Sequence, residues 1–388
     1  MLQKLSSFRS ARNIIFGVDA LQEITNVVKE LKGSRVLILT DQGVMKAGIP
    51  GLAKNILVRD GIETEIYDKV QPEPTIESFE ECLQFAREGK FNLVVGIGGG
   101  SSMDICKLIS AMLANPGKVQ DYFGVNLLKN QGIPKIAIPT TSGTGSEVTA
   151  IGILKDVEQE LKIGVVSPYN YPDAAIVDPL LTLKLPPKVT ASTGMDALTH
   201  AIEAYTSLGA SPITDVLAEK AMALIASSLR TAVSNGSDVQ ARYNMSLGSL
   251  LAGIAFANAG VTAVHALSFP LGGAFEVPHG VANTVMLPYV MEYNYVANLN
   301  KFARVAELMG EKISQLSARE AAAKSIESVK ALAYDIEVPV GLREINVPET
   351  AIKQLAEGAA TVTRILVNNP RQMSLADITR IFEKAMAN

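Results

Sequence analysis

Two kinds of hydrophobic pattern divide this chain. Through its first half, short apolar runs at residues 36–39, 94–97, 135–138 and 174–177 alternate with amphipathic stretches. Short continuous apolar runs bounded by glycine, proline and polar turns suit strands buried on both faces. Strands separated by helical segments predict a mostly parallel sheet with helices on both sides. After Leu185-Pro-Pro-Lys188 the period lengthens. Apolar positions then recur at helical spacing through 192–207, 213–229, 239–257, 299–309, 318–334 and 375–387, so each segment is expected to lay one face on a core. A chain of 388 residues is also longer than one core of ordinary size accommodates. The pattern predicts an α/β domain over residues 1–187 with a mostly parallel sheet, followed by an all-α domain over 188–388.

Chemistry enters where the apolar runs end. The run at 94–97 leads into Gly98-Gly99-Gly100-Ser101-Ser102 and then into a helical pattern. Glycines there let the backbone approach an anion, and the amides of Ser101 and Ser102 at the helix start can donate to a pyrophosphate. The run at 135–138 leads into Pro139-Thr-Thr-Ser-Gly-Thr-Gly-Ser-Glu147, whose hydroxyls can donate to phosphate, ribose or an amide. Asp41 follows the run at 36–39, where a carboxylate can accept from ribose hydroxyls and repel a 2′-phosphate. Each feature alone also fits an ordinary tight turn, a Ser/Thr-rich turn or a helix cap.

The second half carries all three histidines of the chain, His200, His265 and His279. Asp196 lies four residues before the first, so a helix over that segment projects both side chains from one face. His265 and His279 bracket an apolar, glycine-containing stretch. Three imidazoles and one carboxylate make a mixed N/O set suited to a divalent transition ion and unlike the all-oxygen cages of calcium. Read singly, each histidine also fits a hydrogen-bonded core position. No histidine is left over for other work.

These segments together carry a resemblance. Residues 98–107 read GGGSxxDxxK, residues 140–147 read TTxGTGSE, residues 196–203 read DAxxHxxE, and residues 279–283 read HGxAN. In that order, and over essentially its full length, the chain resembles the iron-containing (group III) alcohol dehydrogenase family. The resemblance implies an N-terminal dinucleotide-binding domain and a C-terminal metal-binding domain. It implies that Asp196, His200, His265 and His279 hold the metal, Fe(II) first and Zn(II) as the alternative. It implies that Asp41, Gly98, Gly99, Ser101, Thr140, Thr141, Thr144 and Lys162 line the NAD(H) site, beside Ser102 from the glycine turn. Two departures stand out. Where many members carry a further histidine four residues after the third ligand, this chain has Phe269. Near the C-terminus it reads Thr363-Arg-Ile-Leu-Val-Asn-Asn-Pro-Arg371 without the acidic residue frequent there, so Arg364 and Arg371 add positive charge, unless both are solvated helix-end arginines.

Composition narrows the setting. The net charge of −4 and the lack of a dense Lys/Arg run argue against nucleic-acid or anionic-membrane partners. Two cysteines cannot build a disulfide framework, and neither a signal peptide nor an apolar run of membrane-spanning length is read. A cytoplasmic enzyme is expected, acting on small molecules and associating as a homodimer or larger homo-oligomer. The expected reaction is hydride transfer between nicotinamide C4 and a small aldehyde or primary alcohol, anionic ones included, with the metal polarising the substrate oxygen. The alternative is a non-redox NAD- and metal-dependent enzyme of the dehydroquinate-synthase type. Such an enzyme would line its site with Lys and Arg, and residues 191–209 and 261–283 contain none.

Overall fold

The computed structural model describes residues 5–157 and 161–387. Two compact units emerge, Ser10–Leu185 and Pro186–Asn388 joined by the start of the chain through Arg9. The break therefore falls two residues before the expected 187/188 boundary. Residues 5–9 belong with the helical unit rather than the α/β unit. Arg9 shows why: its amide donates to Asn258 Oδ1 at 2.7 Å, and Asn258 Nδ2 donates back to the Arg9 carbonyl at 2.8 Å.

The α/β unit contains β1 (Asn13–Phe16), α1 (Ile24–Glu30), β2 (Arg35–Leu39), α2 (Gln42–Ala47), α3 (Ile49–Arg59), β3 (Glu63–Tyr67), α4 (Ile76–Gly89), β4 (Leu93–Gly98) and α5 (Gly100–Met112). It continues with β5 (Gly124–Val125), β6 (Lys135–Pro139), β7 (Ile151–Asp156), β8 (Leu161–Val166) and β9 (Ala174–Val177). Six strands form one parallel sheet in the order β1-β9-β6-β4-β2-β3. Alternate residues serve opposite faces. Leu37, Leu39 and Val94 pack with α4 and α5 through Phe79, Leu83, Ile105 and Ile109. Val36, Ile38, Leu93 and Val95 pack with α1 and α3 through Ile24, Val28, Ala53 and Leu57. The expected strands and the parallel sheet are all present.

The strand order fixes where a ligand can go. From β2 the chain moves outward to β3, then returns to place β4 on the other side of β2. At such a reversal the connections leave on opposite faces of the sheet, and a crevice opens beyond the carboxyl ends of the two strands. Those ends carry Thr40 and Asp41 after β2, and the glycine turn after β4.

The helical unit runs α6 (Pro187–Thr206), α7 (Pro212–Ser234), α8 (Val239–Ala259), α9 (Ala263–Phe275), α10 (His279–Asn294), α11 (Leu299–Leu308), α12 (Ala318–Asp335), α13 (Ile352–Ala360), α14 (Thr363–Leu366) and α15 (Leu375–Ala387). One apolar core joins them, with Leu198, Ile202, Leu229, Met245, Leu267, Met286, Val329 and Phe382 at its centre. No single helix among the described residues is long and apolar enough to cross a membrane.

Candidate metal centre and dinucleotide cradle

In the helical unit, α6, α9 and α10 bring four side chains together. Asp196 and His200 lie one turn apart on α6, His265 near the start of α9, and His279 opens α10. Each offers one ligand atom, and the four atoms lie within 4.8 Å of one another. The Nε2 atoms of His200 and His265 are 3.0 Å apart, and His279 Nε2 is 3.8 Å from Asp196 Oδ1. Tetrahedral bonds of the usual length to nitrogen would space neighbouring ligand atoms by about 3.3 Å, so the donor set and its spacing fit a divalent ion. Asp196, His200 and His265 are buried, while the His279 side chain is 34 % exposed. The open side of the cluster therefore lies at His279.

The close approach of α10 to α6 depends on Gly280. A Cβ there would drive into the Ser192 carbonyl and come within 3.4 Å of the Asp196 Cβ. A residue with any side chain would push the His279 turn away from the helix that carries Asp196 and His200.

Three neighbours of the cluster were not singled out by the sequence reading. Glu203, one turn beyond His200, is 2 % exposed. Its carboxylate accepts from Thr262 Oγ1 at 2.7 Å, from the Val264 amide at 2.7 Å, and from His265 Nδ1. A proton held on Nδ1 leaves Nε2 of a neutral ring with a free lone pair, the form a metal requires. Asn283 is fully buried, with Nδ2 2.7 Å from Asp196 Oδ1, 3.1 Å from His265 Nε2 and 3.2 Å from His279 Nε2. Phe256 stacks on His200 with ring centroids 4.2 Å apart. Glu203 and Asn283 stand inside motifs visible in the sequence. Their roles depend on what they face across the fold, which spacing alone does not give.

Electrostatics agree with this arrangement. Burial disfavours the charged form of Asp196, yet the three imidazoles and Asn283 together hold its pKa below the ordinary value. Burial likewise opposes charge on His265, but the Glu203 carboxylate outweighs it and raises the pKa. Protons and a divalent cation thus compete for the same negative pocket.

In the α/β unit the cradle is built from three loops. Gly98 has φ +157°, and a Cβ on it would lie 2.5 Å from Ser102 Oγ; a Cβ on Gly100 would press on Thr144 at 3.1 Å. Thr140 continues the ladder, donating its amide to the Gly98 carbonyl at 2.9 Å. The hydroxyls of Ser102, Thr141 and Thr40 are buried with no partner among the described residues. Buried polar atoms are rarely left so. A cradle lined by bare hydroxyls, helix-start amides and glycines suits a pyrophosphate and its ribose.

Asp41 has a local duty as well. Its Oδ1 caps α2, accepting from Gly43 at 2.8 Å and Val44 at 3.0 Å. Its Oδ2 lies 3.4 Å from where a Cβ on Gly98 would stand, facing the glycine turn. Ser101 Oγ accepts from the Glu73 amide at 3.3 Å, and Lys162 Nζ pairs with Glu73 Oε1 at 2.5 Å.

Around the metal cluster, the Phe269 ring centroid is 6.4 Å from that of His265 and 6.1 Å from that of His279. The two C-terminal arginines differ. Arg371 lies over the Tyr293 ring at 3.9 Å and donates to the Tyr293 carbonyl at 3.0 Å. Arg364 is exposed on α14.

Comparison with known proteins converges on the same reading. Residues 11–179 match the iron-containing alcohol dehydrogenase family, and residues 190–386 match the C-terminal region of the Fe-containing alcohol dehydrogenase family. The chain is 44 % identical to long-chain-alcohol dehydrogenase 1 of Geobacillus thermodenitrificans over 96 % of its own length and 94 % of that protein's. It is 38 % identical to sulfoacetaldehyde reductase of Bilophila wadsworthia, covering 96 % and 97 % respectively. Among solved structures it is similar to a 1,3-propanediol oxidoreductase, with a TM-score of 0.96 and 41 % identity over 99 % of this chain and 100 % of that one. With matches across both units, and a donor set that fits a divalent ion, this chain belongs to the iron-containing alcohol dehydrogenase family and is an oxidoreductase that works with NAD(H) and iron.

Proposed function

We propose that this enzyme interconverts a short, unbranched aldehyde and its primary alcohol. Phe269 carries the proposal. At this place a histidine would offer a polar edge, whereas the phenylalanine sets an apolar ring beside His265 and His279. Phe256 adds a second apolar ring against His200. Walls of this kind favour a hydrocarbon chain over a polyol. When bound, the ion would supply charge stabilisation for the substrate oxygen, and the nicotinamide would supply the hydride chemistry.

The chain's own residues hold and orient. Asp196, His200, His265 and His279 grip the ion, Asn283 fixes the Asp196 carboxylate, and Glu203 holds the proton on His265 Nδ1. All three histidines are engaged in the cluster, so none is left as a general base. Water or cofactor hydroxyls would then have to carry the proton. Asp41 favours NAD(H), because its Oδ2 faces the glycine turn where it meets ribose hydroxyls and opposes a 2′-phosphate.

A second reading, an anionic aldehyde, is favoured by Arg364, which is exposed and makes no ion pair among the described residues. A relative named for sulfoacetaldehyde makes this reading concrete. One experiment separates the two: NADH oxidation with propanal and with succinic semialdehyde, in wild type and Arg364→Ala. The apolar reading expects a higher kcat/KM for propanal and no effect of the substitution. A preference for the semialdehyde that Arg364→Ala abolishes would establish the anionic reading instead.

A further inference from the structure

The cradle poses a problem of rigidity. Besides the Asp41 turn after β2, three of its parts come from segments far apart in the chain: the glycine helix α5, the hydroxyl loop after β6, and the β7–β8 hairpin that carries Lys162. Only the first two are joined directly in the sheet, through β4 and β6. Something must hold all three in one geometry, since loosely held ligand groups lose affinity to ordering.

Lys107, two turns into α5, is 1 % exposed. Its Nζ lies 3.1 Å from Asp104 Oδ1, 2.6 Å from Ser146 Oγ, 3.0 Å from Thr149 Oγ1 and 2.8 Å from the Ile151 carbonyl. Asp104 completes the junction. Its Oδ1 accepts from Ser146 Oγ at 2.6 Å, and its Oδ2 accepts from the Ile153 amide at 3.2 Å. Together the contacts reach the hydroxyl loop and β7. Ser146 leads to Thr144, because the Ser146 amide donates to Thr144 Oγ1 at 3.2 Å, and Thr144 is the side chain that crowds Gly100. Ile151 and Ile153 lie on β7, whose partner β8 sets Lys162 opposite Lys155. A buried ammonium is costly and is retained only with good partners.

We infer that the buried Lys107–Asp104 pair is the positioning centre of the dinucleotide site, locking the glycine helix, the hydroxyl loop and the Lys162 hairpin into the geometry that binds NAD(H). Neither residue needs to touch the cofactor. Both act through Ser146, Thr144 and the β7 backbone. The inference rests on the reading of these loops as the cofactor site.

A simple core role makes a different forecast from a positioning role. Replacing a buried ion pair by apolar groups of similar volume is frequently neutral for stability. The double variant Lys107→Met with Asp104→Leu therefore keeps the core filled while removing the junction. The measurement is NADH binding by fluorescence titration on full-length enzyme, with iron content and thermal unfolding followed in parallel. The expected result is a Kd for NADH raised by about tenfold or more, the loss of one to two hydrogen-bonded restraints, with iron content unchanged. Lys107→Arg does not rescue, because a planar fork cannot serve four acceptors grouped around one nitrogen. If the double variant fails to fold, Ser146→Ala decides, since it cuts the link to the loop and leaves the ion pair intact. A Kd within about twofold of wild type in either folded variant overturns the inference. Failure of wild type itself to bind NADH would instead overturn the assignment of the loops.

Discussion

A buried carboxylate decides which nitrogen of His265 carries a proton. Glu203 has no solvent to turn to and three donors to satisfy, so Nδ1 is the protonated atom and Nε2 is left with the lone pair that a metal would take. Glu203→Gln removes the charge while keeping the shape. Metal affinity in a chelator competition is expected to fall by about 10–100-fold, the usual cost of losing such a support; an unchanged affinity would show that the ring is held by other means.

Glu147 tests the burial argument in the other unit. Its carboxyl is pushed from the ordinary 4.5 up to about 7, chiefly by burial. The unfolded chain releases that proton first as pH rises. Folding stability therefore declines across the interval from 4.5 to about 7, and the loss is complete above it. Glu147→Gln abolishes the titration. Its effect on unfolding free energy is expected to be more favourable at pH 8 than at pH 5 by about 2 kcal/mol, and equal effects at both pH values would refute the raised pKa. The histidines and Asp196 were legible in the sequence because they are few and their helical spacing is plain. Glu203 was not, because its partner lies 62 positions away.

Among the elements, legibility followed regularity. Strands β2, β4, β6 and β9 are apolar runs buried on both faces and could be read directly. Strand β3 is an edge whose Glu63 and Glu65 face outward and pair with Arg35, so it lacks the apolar signature. Helices α9 and α10 were not read because each carries an internal proline, Pro270 and Pro288, a residue that argues against helix interiors. Yet these two helices deliver His265 and His279. Their placement hangs on the contact at Gly280. Gly280→Ala is expected to lower stability by about 1–3 kcal/mol through overpacking against backbone, and to weaken metal binding by displacing His279. Calorimetric unfolding with a metal titration checks both; wild-type values would mean that α10 has slack that the packing does not show.

For the molecule as a whole, the change of period near residue 186 marked the boundary between an α/β unit and a helical unit. It could not show that residues 5–9 join the helical one, since that rests on Arg9 and Asn258 meeting across 249 positions. Strand order was equally beyond the sequence. Only the reversal between β2 and β4 explains why Asp41 and the glycine turn meet at one crevice. The metal centre is tested by propanal-dependent NADH oxidation by chelator-stripped protein before and after addition of Fe(II), with folded His265→Ala treated identically. Stripped wild type is expected to be inactive and to regain turnover with one bound ion, while His265→Ala retains its fold, takes up no stoichiometric iron and stays inactive. Full turnover by stripped protein, or full iron content and activity in His265→Ala, would contradict that expectation.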